Sequence, residues 1–195
     1  MKRKLLLTVI VIGIFAAPSL AQAVTPYVSA NVGLGFPANS SNSHGYVISY
    51  KTSVPFGGAV GLKGDGYRVE AALSYVNNHF DQVYGRSYND SYSNFSYMAN
   101  AYYDYAINDS TVTPYVMGGI GGVSISPHGL DLNNYTTKSL FAWQIGAGIG
   151  VNVDKNVVVD LGYRYFKPSN YHNDITGSIT TFASSNIMLG VRYNF

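Results

Sequence analysis

The chain has 195 residues, 11% of them charged, with 18 tyrosines, 21 glycines and no cysteine. Its length fits one domain, and the lack of cysteine excludes disulfide scaffolds, thiol nucleophiles, Cys-ligated zinc and iron–sulfur clusters. Charge at less than half the soluble norm of about 25% excludes an ordinary hydrated surface, while a mean hydropathy of +0.05 is too low for a bundle of membrane helices.

Residues 1–23 begin with Lys2, Arg3 and Lys4, continue through an apolar run at 5–17 and end in Ala21-Gln22-Ala23. This pattern predicts a secretory signal peptide cleaved after Ala23. The apolar run falls short of the roughly 20 residues a spanning helix needs. Cleavage would leave 9 basic against 10 acidic residues in 24–195. The formal charge of +2 therefore belongs to the leader, and with it goes the only support for a nucleic-acid partner.

From residue 24 onward the dominant pattern is period-2 alternation in runs of about ten residues, the signature of half-buried strands. In 27–36, Val28, Val32, Leu34 and Phe36 oppose Ser29, Asn31, Gly33 and Gly35. In 56–63, Phe56, Val60 and Leu62 oppose Gly57, Gly61 and Lys63. The run 67–76 sets Tyr67, Val69, Leu73 and Tyr75 against Arg68, Glu70 and Ser74. The run 94–106 sets Phe95, Tyr97, Tyr103 and Tyr105 against Ser96, Asn100, Tyr102 and Asp104. Facing in 112–125 is ambiguous; Val116 and Ile120 are read as outward, Tyr115 and Gly119 as inward. In 140–153, Trp143, Ile145 and Ile149 oppose Gln144, Gly146 and Gly148. In 157–166, Val159, Leu161, Tyr163 and Tyr165 oppose Asp160, Gly162 and Arg164. The last run, 182–195, sets Ile187, Leu189, Val191, Tyr193 and Phe195 against Asn186, Gly190 and Arg192.

These eight runs predict an all-β, eight-stranded antiparallel up-and-down transmembrane β-barrel over 24–195. Short connections at 64–66, 108–110 and 154–156 carry turn residues. Long polar ones at 37–55, 77–93, 126–139 and 167–181 lie on the other side. Outer-membrane barrels have this asymmetry, with short periplasmic turns and long extracellular loops. Lys63, Arg68, Glu70, Asp104, Asp160, Arg164 and Arg192 all fall on the polar parity of their strands. A basic side chain on the lipid face at mid-membrane costs about 2–4 kcal/mol, so these charges are expected to form a network in the lumen. Outward aromatics near strand ends are expected to form membrane girdles: Tyr67, Tyr103, Tyr105 and Tyr193 on the turn side, and Tyr75, Tyr97, Trp143, Tyr163 and Tyr165 on the loop side.

Met98-Ala-Asn-Ala-Tyr-Tyr-Asp-Tyr105, Thr113-Pro-Tyr-Val116 with its Gly-rich continuation, and Val159-Asp-Leu-Gly-Tyr-Arg-Tyr165 resemble the opacity-protein-like outer-membrane β-barrel family. That grouping includes bacterial major surface antigens. The chain's end, with Tyr193 and Phe195, is similar to the signal read by the outer-membrane assembly machinery. The resemblance implies a surface protein, often an adhesin or immune-evasion protein and sometimes a porin. It lies among outer-membrane lipid and lipopolysaccharide, and a host surface or extracellular ligand would meet its loops. The candidate loop contacts are Tyr46, Tyr50, Tyr84, Tyr88, Tyr92, Tyr135 and Tyr171, since tyrosine is enriched at interfaces.

Catalysis has little support in these residues. The four histidines, His44, His79, His128 and His172, fall in expected loops, and the single Glu faces inward. A hydrolase needs a base beside its nucleophile, and the histidines lack metal-ligand spacing. No catalytic residue, metal or cofactor is therefore assigned. Two functions stay open: a surface-interaction protein acting through four loops, or a narrow passive pore or structural barrel.

Overall fold

A computed structural model describes residues 24–38, 40–41, 47–82, 91–128, 137–169, 171–172, 179–180 and 183–195. Eight strands make the wall: β1 (Thr25–Pro37), β2 (Phe56–Lys63), β3 (Tyr67–Gln82), β4 (Ser91–Asp104), β5 (Val112–His128), β6 (Lys138–Asn152), β7 (Val157–Pro168) and β8 (Ser184–Asn194). Each pairs antiparallel with its neighbour in sequence. Strand β8 returns to β1 from Tyr27↔Asn194 to Pro37↔Ser184, which closes the barrel. Closure leaves no continuous open sheet edge, the condition for placing strands in lipid.

Alternation settles the two faces. Val32, Leu34, Leu73, Ile120, Ile145 and Leu189 project outward, as do the aromatics Tyr67, Tyr97, Tyr103, Tyr163, Tyr193 and Phe195. Arg68, Asn100, Asp104, Gln144, Asn186 and Arg192 are buried inside. The uncertain strand faces as read, with Val116 and Ile120 outward. Trp143 packs on Tyr165 with ring centroids 5.8 Å apart, and Tyr193 on Phe195 at 5.3 Å, each pair at one end of the wall. The tight turn between β2 and β3 uses Gly66 at φ 74°, a conformation that favours glycine.

Four strands run further on the loop side than their outward apolar pattern. Strand β3 reaches Gln82, β4 starts at Ser91, β5 reaches His128 and β6 starts at Lys138. Much of the expected loops 77–93 and 126–139 is therefore sheet. At 16 residues, β3 rises about 40 Å along a membrane normal when tilted about 40°, well past a ~25 Å apolar band. Beyond that band the polarity inverts. Ser124 and Ser139 meet outside with hydroxyls 3.1 Å apart, and Ser126 and Thr137 at 3.0 Å. Inside, Val123 and Ala142 are fully buried, packed with Met98, Ile125, Leu140 and Phe166. Water outside the rim needs polar side chains there, so the apolar ones turn inward.

The expected loop 37–55 also carries sheet. Val47–Tyr50 pairs with the end of β3, at Ser49↔Gln82 and Tyr50↔Phe80. Gly35 and Ser53 exchange backbone hydrogen bonds of 2.8 and 2.9 Å, which continue the wall past β2. Three histidines expected in loops lie on extended backbone instead: His79 in β3, His128 in β5 and His172 in the short pair Tyr171–His172 with Ile179–Thr180. His44 and the predicted signal peptide 1–23 lie outside the described residues.

Candidate functional site

The lumen is built by long polar side chains reaching across glycines. In register, Tyr27 of β1 faces Gly61 of β2, and Gly61 faces Glu70 of β3. A Cβ on Gly61 would sit 2.5 Å from the Tyr27 ring. With only hydrogen there, Tyr27 lies over the strand between and its hydroxyl donates to Glu70 Oε2 at 2.9 Å. Asn100, Gly119 and Gln144 repeat the device on β4, β5 and β6: Gln144 Nε2 donates to Asn100 Oδ1 at 2.6 Å above Gly119. Tyr115 covers Gly148 and Gly162 on the next two strands, and an added Cβ at either would meet its ring or hydroxyl.

Three charge groups occupy this space. Arg68 grips Asp104 with Nε at 3.0 and 2.8 Å from the two carboxylate oxygens and Nη2 at 2.8 Å from one. Both side chains are under 10% exposed. The guanidinium also lies over Tyr102 at 4.2 Å and Tyr115 at 5.0 Å, a cation–π arrangement. Arg192 holds Asp160 with two N–H bonds of 3.2 Å. Glu70 has no cationic partner within salt-bridge distance among the described residues. Its carboxylate accepts from Tyr27, from Asn100 Nδ2 at 2.9 Å and from the Tyr102 hydroxyl at 2.7 Å.

The expected seven-residue network is thus two ion pairs and one neutral-donor cluster, with two cations apart from both. Lys63 stands at the turn-side end of β2 without an ion pair among the described residues. Arg164 also lacks one, contrary to its expected place in the network. Its cross-strand partners are Asn186 and Gly146, and the diagonal inward positions Ser184, Met188, Gln144 and Gly148 carry no carboxylate. Charge counting missed Tyr27, Asn100, Tyr102, Tyr115 and Gln144. Their signal was inward parity beside a glycine one strand away.

Arg164 and Met188 separate two spaces in the lumen. A small vestibule of about 50 Å³ on the loop side is lined by Ser74, Asn78, Tyr92, Asn94, Ser96, Gln144, Asn186 and others. A chamber of about 50 Å³ toward the turns is lined by Tyr27, Asn31, Glu70, Tyr102, Asp160 and Arg192. Arg164 and Met188 line both. Tyr92, read from sequence as an external contact, is 5% exposed within β4 and lines the vestibule. Tyr50 and Tyr171 lie on short extended segments. Tyr46, Tyr84, Tyr88 and Tyr135 lie outside the described residues.

A closed barrel with charge inside, an apolar belt outside and aromatics at the belt's margins defines a transmembrane β-barrel of a bacterial outer membrane. Residues 7–195 match the family model described as outer membrane protein beta-barrel domain, and the chain belongs to that family. It is 32% identical over 118 residues to outer membrane protein PagN of Salmonella typhimurium, a match covering 51% of this chain and 49% of that one. The chain thus spans about half the length of that curated relative. Among solved structures, Neisserial surface protein A shares the fold at TM-score 0.63 and 19% identity, over 89% of this chain and 99% of that one. Ail, the attachment invasion locus protein of Yersinia pestis, in complex with the heparin analogue sucrose octasulfate, does so at TM-score 0.51 and 18% identity, over 87% and 99%.

Proposed function

We propose that this chain is a non-catalytic surface-interaction protein of the outer membrane, of adhesin type, whose contacts are made on the long-connection side. In this reading residues 1–23 are removed on export, and the short turns and both ends of the barrel face the periplasm. Phe195 with Tyr193 presents the terminal signal to the assembly machinery, and the barrel wall meets lipid and lipopolysaccharide. The observation that carries the reading is the raised rim. Strands β3 to β6 extend past the apolar belt with inverted polarity, as a water-facing platform would, and the connections 83–90 and 129–137 spring from it. Similarity to a surface protein and to an attachment protein supports it, as does the sulfated ligand held by the latter. Tyr46, Tyr50, Tyr84, Tyr88, Tyr135 and Tyr171 are the proposed contact residues; Tyr92 is not among them because it is buried in β4.

Glu70 supports the non-catalytic part of the reading, since hydrogen bonds from two tyrosines and an asparagine already occupy its carboxylate. The crossing side chains likewise favour a filled lumen over a wide pore. The test is adherence to host cells of a non-adherent bacterium displaying either the wild-type barrel or variants with 83–90 or 129–136 replaced by Gly/Ser. Loss of adherence in at least one variant, at equal surface level, is expected. Equal adherence in both would reject the loop-contact reading. Steady large conductance of the refolded barrel in a planar bilayer would reject the filled lumen.

A further inference from the structure

Two of the three lumen arginines are paired, Arg68 with Asp104 and Arg192 with Asp160. That leaves one arginine, Arg164, and one carboxylate, Glu70, without a direct ionic partner among the described residues. A guanidinium keeps its charge at ordinary pH, and Arg164 is half-buried, so its charge is only partly met by open solvent. The two remaining groups line the same turn-side chamber, whereas Lys63 lines neither space. Asp160 lines that chamber too, but Arg192 already gives it two N–H bonds.

Glu70 still has an acceptor position to offer. Its Oε1 takes Asn100 and Tyr102, whereas Oε2 takes only Tyr27. A carboxylate oxygen accepts about two hydrogen bonds, which leaves one position at Oε2. The chamber of about 50 Å³ exceeds the roughly 10–15 Å³ that one water requires and falls far below the roughly 300 Å³ of a small ligand pocket. Ser29 and Tyr115 also line it, so water there finds the two to four polar partners that hold it. We propose that the turn-side chamber is a hydration site whose ordered water joins Arg164 to Glu70. The third lumen arginine and the third lumen carboxylate then form a solvent-separated pair, and this pair holds Arg164 as the bar between the two spaces. It lies inside the wall, so it stands whether or not the loops bind host cells.

A double-mutant cycle on the full refolded barrel in lipid vesicles tests the pairing. Glu70→Gln and Arg164→Gln each remove one charge and keep a polar side chain. Each should raise the unfolding equilibrium constant, and the double variant should be at least about tenfold more stable than independent effects would give, as Coulomb's law yields for unit charges one water apart at an effective dielectric of about 20. Asp160→Asn with Arg164→Gln should couple by less than about threefold. Additive effects of Glu70→Gln and Arg164→Gln, or stronger coupling of Arg164 to Asp160, would overturn the proposal. Two-dimensional NMR of the wild-type barrel in neutral detergent tests the water. The Tyr102 ring protons, which border the chamber, should show cross-relaxation with water of the sign that marks bound, long-lived molecules. Absence of that contact would overturn the hydration site, and this measurement needs no variant to refold.

Discussion

Replacing Asp104 by Ala removes the carboxylate that takes three N–H bonds of 2.8–3.0 Å from Arg68 and leaves the cation inside the wall. The pair is 4% and 9% exposed, so solvent screening is slight. An uncompensated buried charge costs about 3–5 kcal/mol. Tyr102 and Tyr115 stay against the guanidinium and offset part of this through cation–π attraction, which places the expected loss near 3 kcal/mol. With a urea m-value of about 2 kcal/mol/M, the unfolding midpoint in lipid vesicles should fall by about 1.5 M. Asp104→Asn keeps an acceptor and should lose less. Replacing both partners by apolar residues, Arg68→Met with Asp104→Leu, should restore most of the stability because no charge is stranded. A loss below about 1 kcal/mol for Asp104→Ala would refute the reasoning, since the pair would then behave as a hydrated surface bridge.

Gly162→Ala puts a Cβ 2.5 Å from the Tyr115 hydroxyl; it should cost about 1–3 kcal/mol as overpacking, and the cost should shrink in a Tyr115→Ala background, measured by the same unfolding titration. Tyr27→Phe removes one of three donors to Glu70 and should cost about 1–3 kcal/mol, with the barrel still refolding to its heat-modifiable gel mobility. Leu189→Arg places a cation on the outward face opposite Leu161 and Val32; about 2–4 kcal/mol of loss is expected in bilayers, and unchanged stability there would contradict the assigned lipid face.

Much of this architecture was legible because lipid makes a simple rule. Charge is excluded from one parity, so Arg68, Glu70, Asp160 and Arg192 could be placed inside from alternation alone. The rule lapses where lipid ends. In β5 the outward Val116 and Ile120 give way to inward Val123 and Ile125, so the alternation in 112–125 is ambiguous and does not reveal how far the strands run past residue 76. Partner choice inside the lumen was not legible either, because it depends on register. Arg68 reaches Asp104 and Arg192 reaches Asp160 on diagonals, two residues beyond the directly opposed positions. The corresponding diagonals from Arg164 meet only serine, methionine, glutamine and glycine. Tyr27 reaches Glu70 only because Gly61 lies between them, and single-strand patterns do not report a neighbour's glycine.

The placement of this barrel, with its raised rim outside the cell and its short turns inside, is tested most directly by single-cysteine labelling. The chain has no cysteine, so the background is clean. Ser87→Cys lies in the connection 83–90, and Lys155→Cys in the turn between β6 and β7. On intact cells a membrane-impermeant maleimide should label Cys at 87 and leave Cys at 155 unlabelled until the outer membrane is opened. Labelling of position 155 on intact cells, or protection of position 87 there, would contradict the assignment.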